Sequence, residues 1–125
     1  MTGRVLVVDD DPRIVAVVRT TLERQGLEIA TASNGAECLL AVGAGPPNVI
    51  VLDVTMPIMD GWQVLRVLRE NPATAELPVI MLTAHGEDDA VARGLEAGAH
   101  LYLTKPFSTE ELLAAVTRLL EPAEG

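Results

Sequence analysis

The sequence predicts a doubly wound α/β domain of (βα)5 type, five short parallel strands alternating with five helices. Three observations lead there. Runs such as Val49-Ile50-Val51-Leu52-Asp53 are apolar at consecutive positions yet too short for helices, the pattern of strands buried on both faces. The segments between the runs carry helical spacing with their own start and stop residues. The connections leave no room for hairpins, so the strands run parallel through right-handed crossovers, with helices on both faces of the sheet. At 125 residues and 49% apolar content, the chain is expected to form one domain with a single well-filled core.

In order, Arg4 to Val8 reads as the first strand, followed by Asp9-Asp10-Asp11-Pro12 and apolar positions Ile14, Val17, Val18 and Leu22 at helical spacing. Asp11 suits the N-cap, Pro12 the first helical position and Gly26 the C′ position. Leu27 to Thr31 is the second strand. Asn34 with Glu37 resembles a capping box opening a helix to about Val42, and Gly43 to Pro47 forces a loop. Val49 to Asp53 is the third strand, and Pro57 keeps Met56 extended, so Asp53 lies too early to cap the helix expected from Gly61 to Glu70; Asp60 takes that role. Pro78 to Thr83 is the fourth strand, Glu87 to Ala97 a helix and His100 to Thr104 the fifth strand. Ser108 and Glu111 form the capping box of a last helix ending at Leu120.

Charge excludes several functions. A net charge of −9 opposes direct binding of this domain to nucleic acid or anionic lipid, both of which need clustered basic residues. No apolar stretch approaches the roughly 20 residues of a membrane span, and no signal-peptide pattern opens the chain, so a cytoplasmic protein is expected. The single cysteine, Cys38, lies among apolar neighbours and reads as a small core residue.

In a doubly wound sheet ligands bind at the carboxyl edge of the strands. Asp9 and Asp10 follow the first strand, Asp53 ends the third, Thr83 ends the fourth, and Lys105, the one lysine beside eight arginines, follows the fifth. Carboxylates about 4 Å apart at an effective dielectric near 20 repel by about 4 kcal/mol per pair, so a cation is implied. Oxygen ligands without nearby Cys or His favour Mg2+, or Mn2+ in its place, over zinc. Asp53 is then left to act as a nucleophile toward a phosphoryl group, with Lys105 and the Thr83 hydroxyl on its oxygens. Each residue taken alone also has a bland role: a solvated loop charge for Asp10, a local backbone bond for Thr83, a snorkelling stem for Lys105.

Together the motifs Val7-Val8-Asp9-Asp10-Asp11, Leu52-Asp53-Val54-Thr55-Met56-Pro57 with Met59-Asp60-Gly61, Leu82-Thr83-Ala84, Gly98-Ala99 and Leu103-Thr104-Lys105-Pro106-Phe107 resemble those of a two-component response-regulator receiver domain of the chemotaxis-regulator type. The resemblance covers residues 1–121 and leaves 122–125 as a tail or the start of a linker. It implies a flavodoxin-like three-layer sandwich with strand order 2-1-3-4-5 and Asp53 as phosphoacceptor. It further implies Mg2+ on Asp9, Asp10, Asp53 and the Thr55 backbone carbonyl, with Asp9 acting mainly through water. Thr83, Ala84 and Lys105 would hold the phosphoryl group, Thr83 and Tyr102 would form the switch, and Thr55 and His85 would tune its lifetime. A cis Lys105–Pro106 bond is implied as well. The implied partners are a sensor histidine kinase or phosphotransfer protein upstream, and an effector protein or fused output domain downstream. The activity is that of a signalling switch, with self-phosphorylation from small donors and self-dephosphorylation, rather than of a turnover enzyme. A haloacid-dehalogenase-type phosphatase would want a second acid where Thr55 stands. A flavodoxin-like cofactor binder would want a phosphate-cradling loop where Asp9-Asp10-Asp11 stands.

Overall fold

A computed structural model of the protein describes residues 2–84 and 98–120. Strands β1 (Arg4–Val8), β2 (Glu28–Ala32), β3 (Val49–Asp53), β4 (Val79–Ala84) and β5 (Leu101–Lys105) form one parallel sheet in the order β2-β1-β3-β4-β5. Helices α1 (Pro12–Glu23), α2 (Gly35–Ala44) and α3 (Gly61–Glu70) connect the first four strands, and α4 (Thr109–Leu120) follows β5. The helix expected over Glu87 to Ala97 lies outside the described residues, as does His85.

The continuous apolar runs have a direct structural cause. Successive strand residues point to opposite faces, and both faces are covered. Val5, Val7, Val49, Val51, Ile80 and Leu82 pack with Val18 and Leu22 of α1 and Leu112 and Val116 of α4. Leu6, Val8, Ile50, Leu52 and Met81 pack with Cys38 and Val42 of α2 and Val64, Leu65 and Leu68 of α3. Each such Leu, Ile or Val contributes roughly 1.5–3 kcal/mol by leaving water. The Cys38 thiol is pushed up to about 12 by burial, which fits a core residue rather than a nucleophile.

The helix ends follow local chemistry. Asp11 Oδ1 accepts from Arg13 N at 2.9 Å with Pro12 at the first helical position, and Asp60 and Gln63 close a reciprocal capping box on α3. Ser108 and Glu111 make the same reciprocal pair before α4. At α2 the box is displaced by one residue: Asn34 Oδ1 accepts from Glu37 N, but the Glu37 carboxylate reaches back to Ser33 N and Oγ. Helix α1 closes with Gly26 N donating to Glu23 O and Leu27 N to Leu22 O, Gly26 sitting at φ +85°. That closure uses Leu27, so β2 starts one residue later than the sequence suggests. Strands β4 and β5 likewise begin at Val79 and Leu101, and Gly45, extended, ends α2 at Ala44 rather than near Val42.

Ile58 is the one non-glycine residue at positive φ (+71°) among the described residues, in a tight turn closed by Met59 N donating to Pro57 O at 2.8 Å. Ile58 is 93% exposed, so packing returns little for the strain. A β-branched residue there costs of order 1–3 kcal/mol, against the roughly 0.5–1 kcal/mol of extra chain entropy that Gly would lose. Ile58→Gly is therefore expected to stabilise the protein by about 1 kcal/mol. An unchanged or lower urea midpoint for the variant would count against that strain.

Candidate functional site at the carboxyl edge of the sheet

Strand register brings the polar residues together. Val8 pairs with Leu52, so the residues that follow, Asp9 and Asp53, leave the sheet side by side. Asp53 pairs with Leu82, one residue before Thr83, and Ala84 pairs with Lys105 across β4 and β5. Four strand ends thus deliver their side chains to one edge.

Asp53 is only 4% exposed and Asp9 only 1%. Lys105 Nζ lies 3.0 Å from Asp53 Oδ1 in a hydrogen bond and 2.9 Å from Asp9 Oδ2. The Lys105–Pro106 bond is cis. Asp9 Oδ1 accepts from Asp11 N at 2.9 Å, whereas Oδ2, fully buried, has the lysine charge beside it but no partner in hydrogen-bond geometry. Asp10 completes the group: carboxylate oxygens of Asp9, Asp10 and Asp53 all lie within 4.8 Å of one another. Asp10 is exposed and opens onto a cleft of about 490 Å3 between α1 and the β2–α2 connection.

One ammonium thus faces three carboxylates, two of them buried. Burial pushes the Asp53 carboxyl up and the Asp9 charge adds to this; the Lys105 hydrogen bond and the Thr55 backbone N–H work the other way, leaving it at about 6. Burial opposes the charge on Lys105, but its contacts with Asp9 and Asp53 outweigh this and raise its pKa. The set fits a hard divalent cation: every donor is oxygen, and the buried Asp9 Oδ2 meets only the Lys105 ammonium, outside hydrogen-bond geometry.

The remaining expected residues occupy distinct places. Thr83 is buried at the end of β4, Ala84 and Thr55 are exposed at the rim, and Thr55 donates its N–H to Asp53. Tyr102 is half-buried, pairs with Met81 in register and packs on the α2–α3 side of the sheet.

Gly61 was legible in the sequence as a helix start and as part of the Met59-Asp60-Gly61 motif, but not as a neighbour of the Asp53 backbone. Its backbone N donates to Val54 O at 2.8 Å, and a Cβ built on it would press on the Asp53 carbonyl oxygen and lie 2.9 Å from Val54 Cα. Arg69 is a second such residue. It donates to the carbonyls of Gly98, Thr74 and Leu77, tying the end of α3 to the segment entering β5. On a helix that also carries Arg66, nothing in the spacing marks Arg69 for that role.

The family profile described as the response regulator receiver domain matches residues 5–117. The chain is 42% identical over 124 residues to the alkaline phosphatase synthesis transcriptional regulatory protein PhoP of Bacillus subtilis, covering 99% of this chain and 51% of that protein. It is 39% identical to the phosphate regulon transcriptional regulatory protein PhoB of Rhizobium meliloti, covering 99% and 55%. It therefore spans about half the length of these curated relatives. Among solved structures, the chemotaxis protein CheY4 of Vibrio cholerae superposes with a TM-score of 0.89 at 34% identity, over 96% of this chain and all of that one.

Proposed function

The chain belongs to the response regulator receiver domain family of two-component systems, and from that premise we propose that Asp53 is its phosphoacceptor. The observation that carries this reading is the buried Asp53 carboxylate, held by Lys105 beside a buried Asp9 oxygen that the same ammonium neighbours without hydrogen-bond geometry. In the reaction an Asp53 carboxylate oxygen forms a bond to phosphorus as the bond from phosphorus to the donor's nitrogen or oxygen breaks. The electron pair leaves with the donor, and an acyl phosphate remains on Asp53. Lys105 stays in place as a fixed cation for the charge on the transferring oxygens, and the Thr83 hydroxyl and the backbone N–H groups of Thr55 and Ala84 donate to them. Asp9, Asp10, Asp53 and the Thr55 carbonyl would hold Mg2+, with Mn2+ as the substitute; when bound, the ion neutralises negative charge on the phosphoryl oxygens.

The donor is a sensor histidine kinase, a phosphotransfer protein or a small acyl phosphate. Thr83 and Tyr102 pass the change to an effector protein or an output domain fused to this one, so the chain acts as a switch and not as a turnover enzyme. The domain itself contacts neither nucleic acid nor membrane, in keeping with its net charge of −9 and a cytoplasmic place. Among the described residues no helix is long and apolar enough to cross a membrane.

Incubation with Mg2+ and acetyl phosphate tests the assignment. Intact mass is expected to show one added, hydroxylamine-labile phosphoryl group, absent in EDTA. Millimolar Mg2+ is also expected to raise the melting temperature, since an ion at 100 times its Kd contributes about 2.7 kcal/mol to a fold that alone binds it. A shift that persists undiminished in Asp10→Ala would remove Asp10 from the ion's ligands. Neither Thr55 nor His85 carries an acid or amide to position a hydrolytic water, so the phosphoryl group should last minutes, an order-of-magnitude expectation. Complete decay within seconds in Mg2+ buffer contradicts it.

A further inference from the structure

The peptide that follows Asp53 is gripped from two sides. Val54 N donates to Leu82 O of β4 at 3.0 Å, and Val54 O accepts from Gly61 N, the first residue of α3, at 2.8 Å. The bond between Val54 and Gly61 closes the loop that contains Thr55, Pro57 and Ile58. The helix can come this close only because residue 61 has no side chain. A Cβ there would meet three backbone atoms together: the Asp53 carbonyl oxygen, Val54 Cα at 2.9 Å and the Asp53 carbonyl carbon at 3.1 Å. Backbone pinned between two strands cannot rotate aside as a flexible side chain can. The clash therefore has to be relieved by α3 backing away from β3.

We propose that Gly61 is a positioning residue for the reaction: by letting α3 bond directly onto the Asp53–Val54 peptide, it sets the direction of the Asp53 carboxylate and the placement of the Thr55 backbone that faces the cation and the phosphoryl group. The proposal rests on the receiver reading of Asp53. It differs from an ordinary glycine turn requirement, because Gly61 is not among the positive-φ glycines and its backbone is one that any residue adopts. What excludes a side chain here is the site's own backbone.

Gly61→Ala and Asp60→Ala separate positioning from stability. Asp60→Ala removes the helix cap without adding an atom near Asp53, so it should lower the melting temperature while leaving Mg2+ affinity as in wild type. Gly61→Ala should lower Mg2+ affinity by about 10- to 100-fold, the usual range when a group supporting metal ligands is lost. It should also slow labelling by acetyl phosphate at saturating Mg2+ by about 100-fold, as expected for a displacement near 1 Å. Mg2+ affinity and saturated labelling indistinguishable from wild type in Gly61→Ala would overturn the proposal, whatever happens to its melting temperature. Should Gly61→Ala fail to fold, amide exchange of the wild-type protein decides. By linkage, an ion that needs the clamp must also tighten it, so Mg2+ should slow exchange of the Gly61 N–H. Exchange unaffected by saturating Mg2+ would overturn the proposal. A wild-type protein that neither binds Mg2+ nor takes a phosphoryl group would instead refute the receiver reading, leaving the two failures distinct.

Discussion

Asp53→Asn is expected to abolish phosphoryl incorporation and, in the same molecule, to make the metal-free protein more stable. The loss is complete because an amide oxygen cannot form the acyl phosphate. The gain follows from burial. The folded protein holds the Asp53 carboxyl at about 6, above the ordinary value of 3.8, so ionising it costs more in the native state than in the unfolded chain. For a carboxyl raised in this way, the contribution to stability is largest below pH 3.8 and is lost as pH climbs from 3.8 to about 6. At pH 7 the native state bears the whole cost, at most about 3 kcal/mol for a displacement of this size. Asn carries no such cost, so the variant should exceed wild type by about 1–3 kcal/mol at pH 7 in EDTA. That advantage should shrink as the pH falls through the same window. Urea denaturation of both proteins at several pH values checks the sign. An advantage that grows toward acid would show that Asp53 is held ionised by the fold rather than strained by it.

Lys105→Ala should have the opposite effect on stability and a large effect on the chemistry. Lys105 Nζ touches both buried carboxylates, and its side chain is 26% exposed, so solvent screens the pair only in part. Removing one partner of a buried ion pair costs about 3–5 kcal/mol, and the partial exposure places this case nearer 2–4 kcal/mol. Much of that loss is repulsion between Asp9 and Asp53, so Mg2+ should return part of it. Phosphorylation at saturating Mg2+ should fall by about 100- to 1,000-fold, the range for deleting one fixed donor to a developing negative charge. A metal-free melting temperature equal to that of wild type would mean that the carboxylates have another counter-charge. Labelling at the wild-type rate would take Lys105 out of the reaction.

The two kinds of prediction differ in how far the sequence alone reaches. That Val49 to Asp53 forms a buried strand, that Asp53 is not a helix cap, and that Asp11, Asp60 and Ser108 begin helices are local matters. Apolar runs, Pro57 and the spacing of cap to third helical residue decide them, and each was legible. The joint presence of Asp9, Asp10, Asp53, Thr83 and Lys105 at strand ends was legible for the same reason: a parallel sheet sends every carboxyl end to one edge. Strand starts were misplaced by one residue at β2, β4 and β5, which the sequence reading began at Leu27, Pro78 and His100.

Contacts between residues distant in the chain are another matter. The sequence by itself determined the order of the described elements, the helices on both faces of the sheet and the chemical inventory of the site, because these depend on periodicity and on short-range capping. Only the tertiary structure decided that Lys105 bridges Asp9 and Asp53, that Arg69 ties α3 to the entry of β5, and that Gly61 abuts the Asp53 backbone. Each of those depends on the register between strands and the approach of a helix to a strand end, which are set by packing of the whole sheet and leave no periodic trace in the residues that carry them.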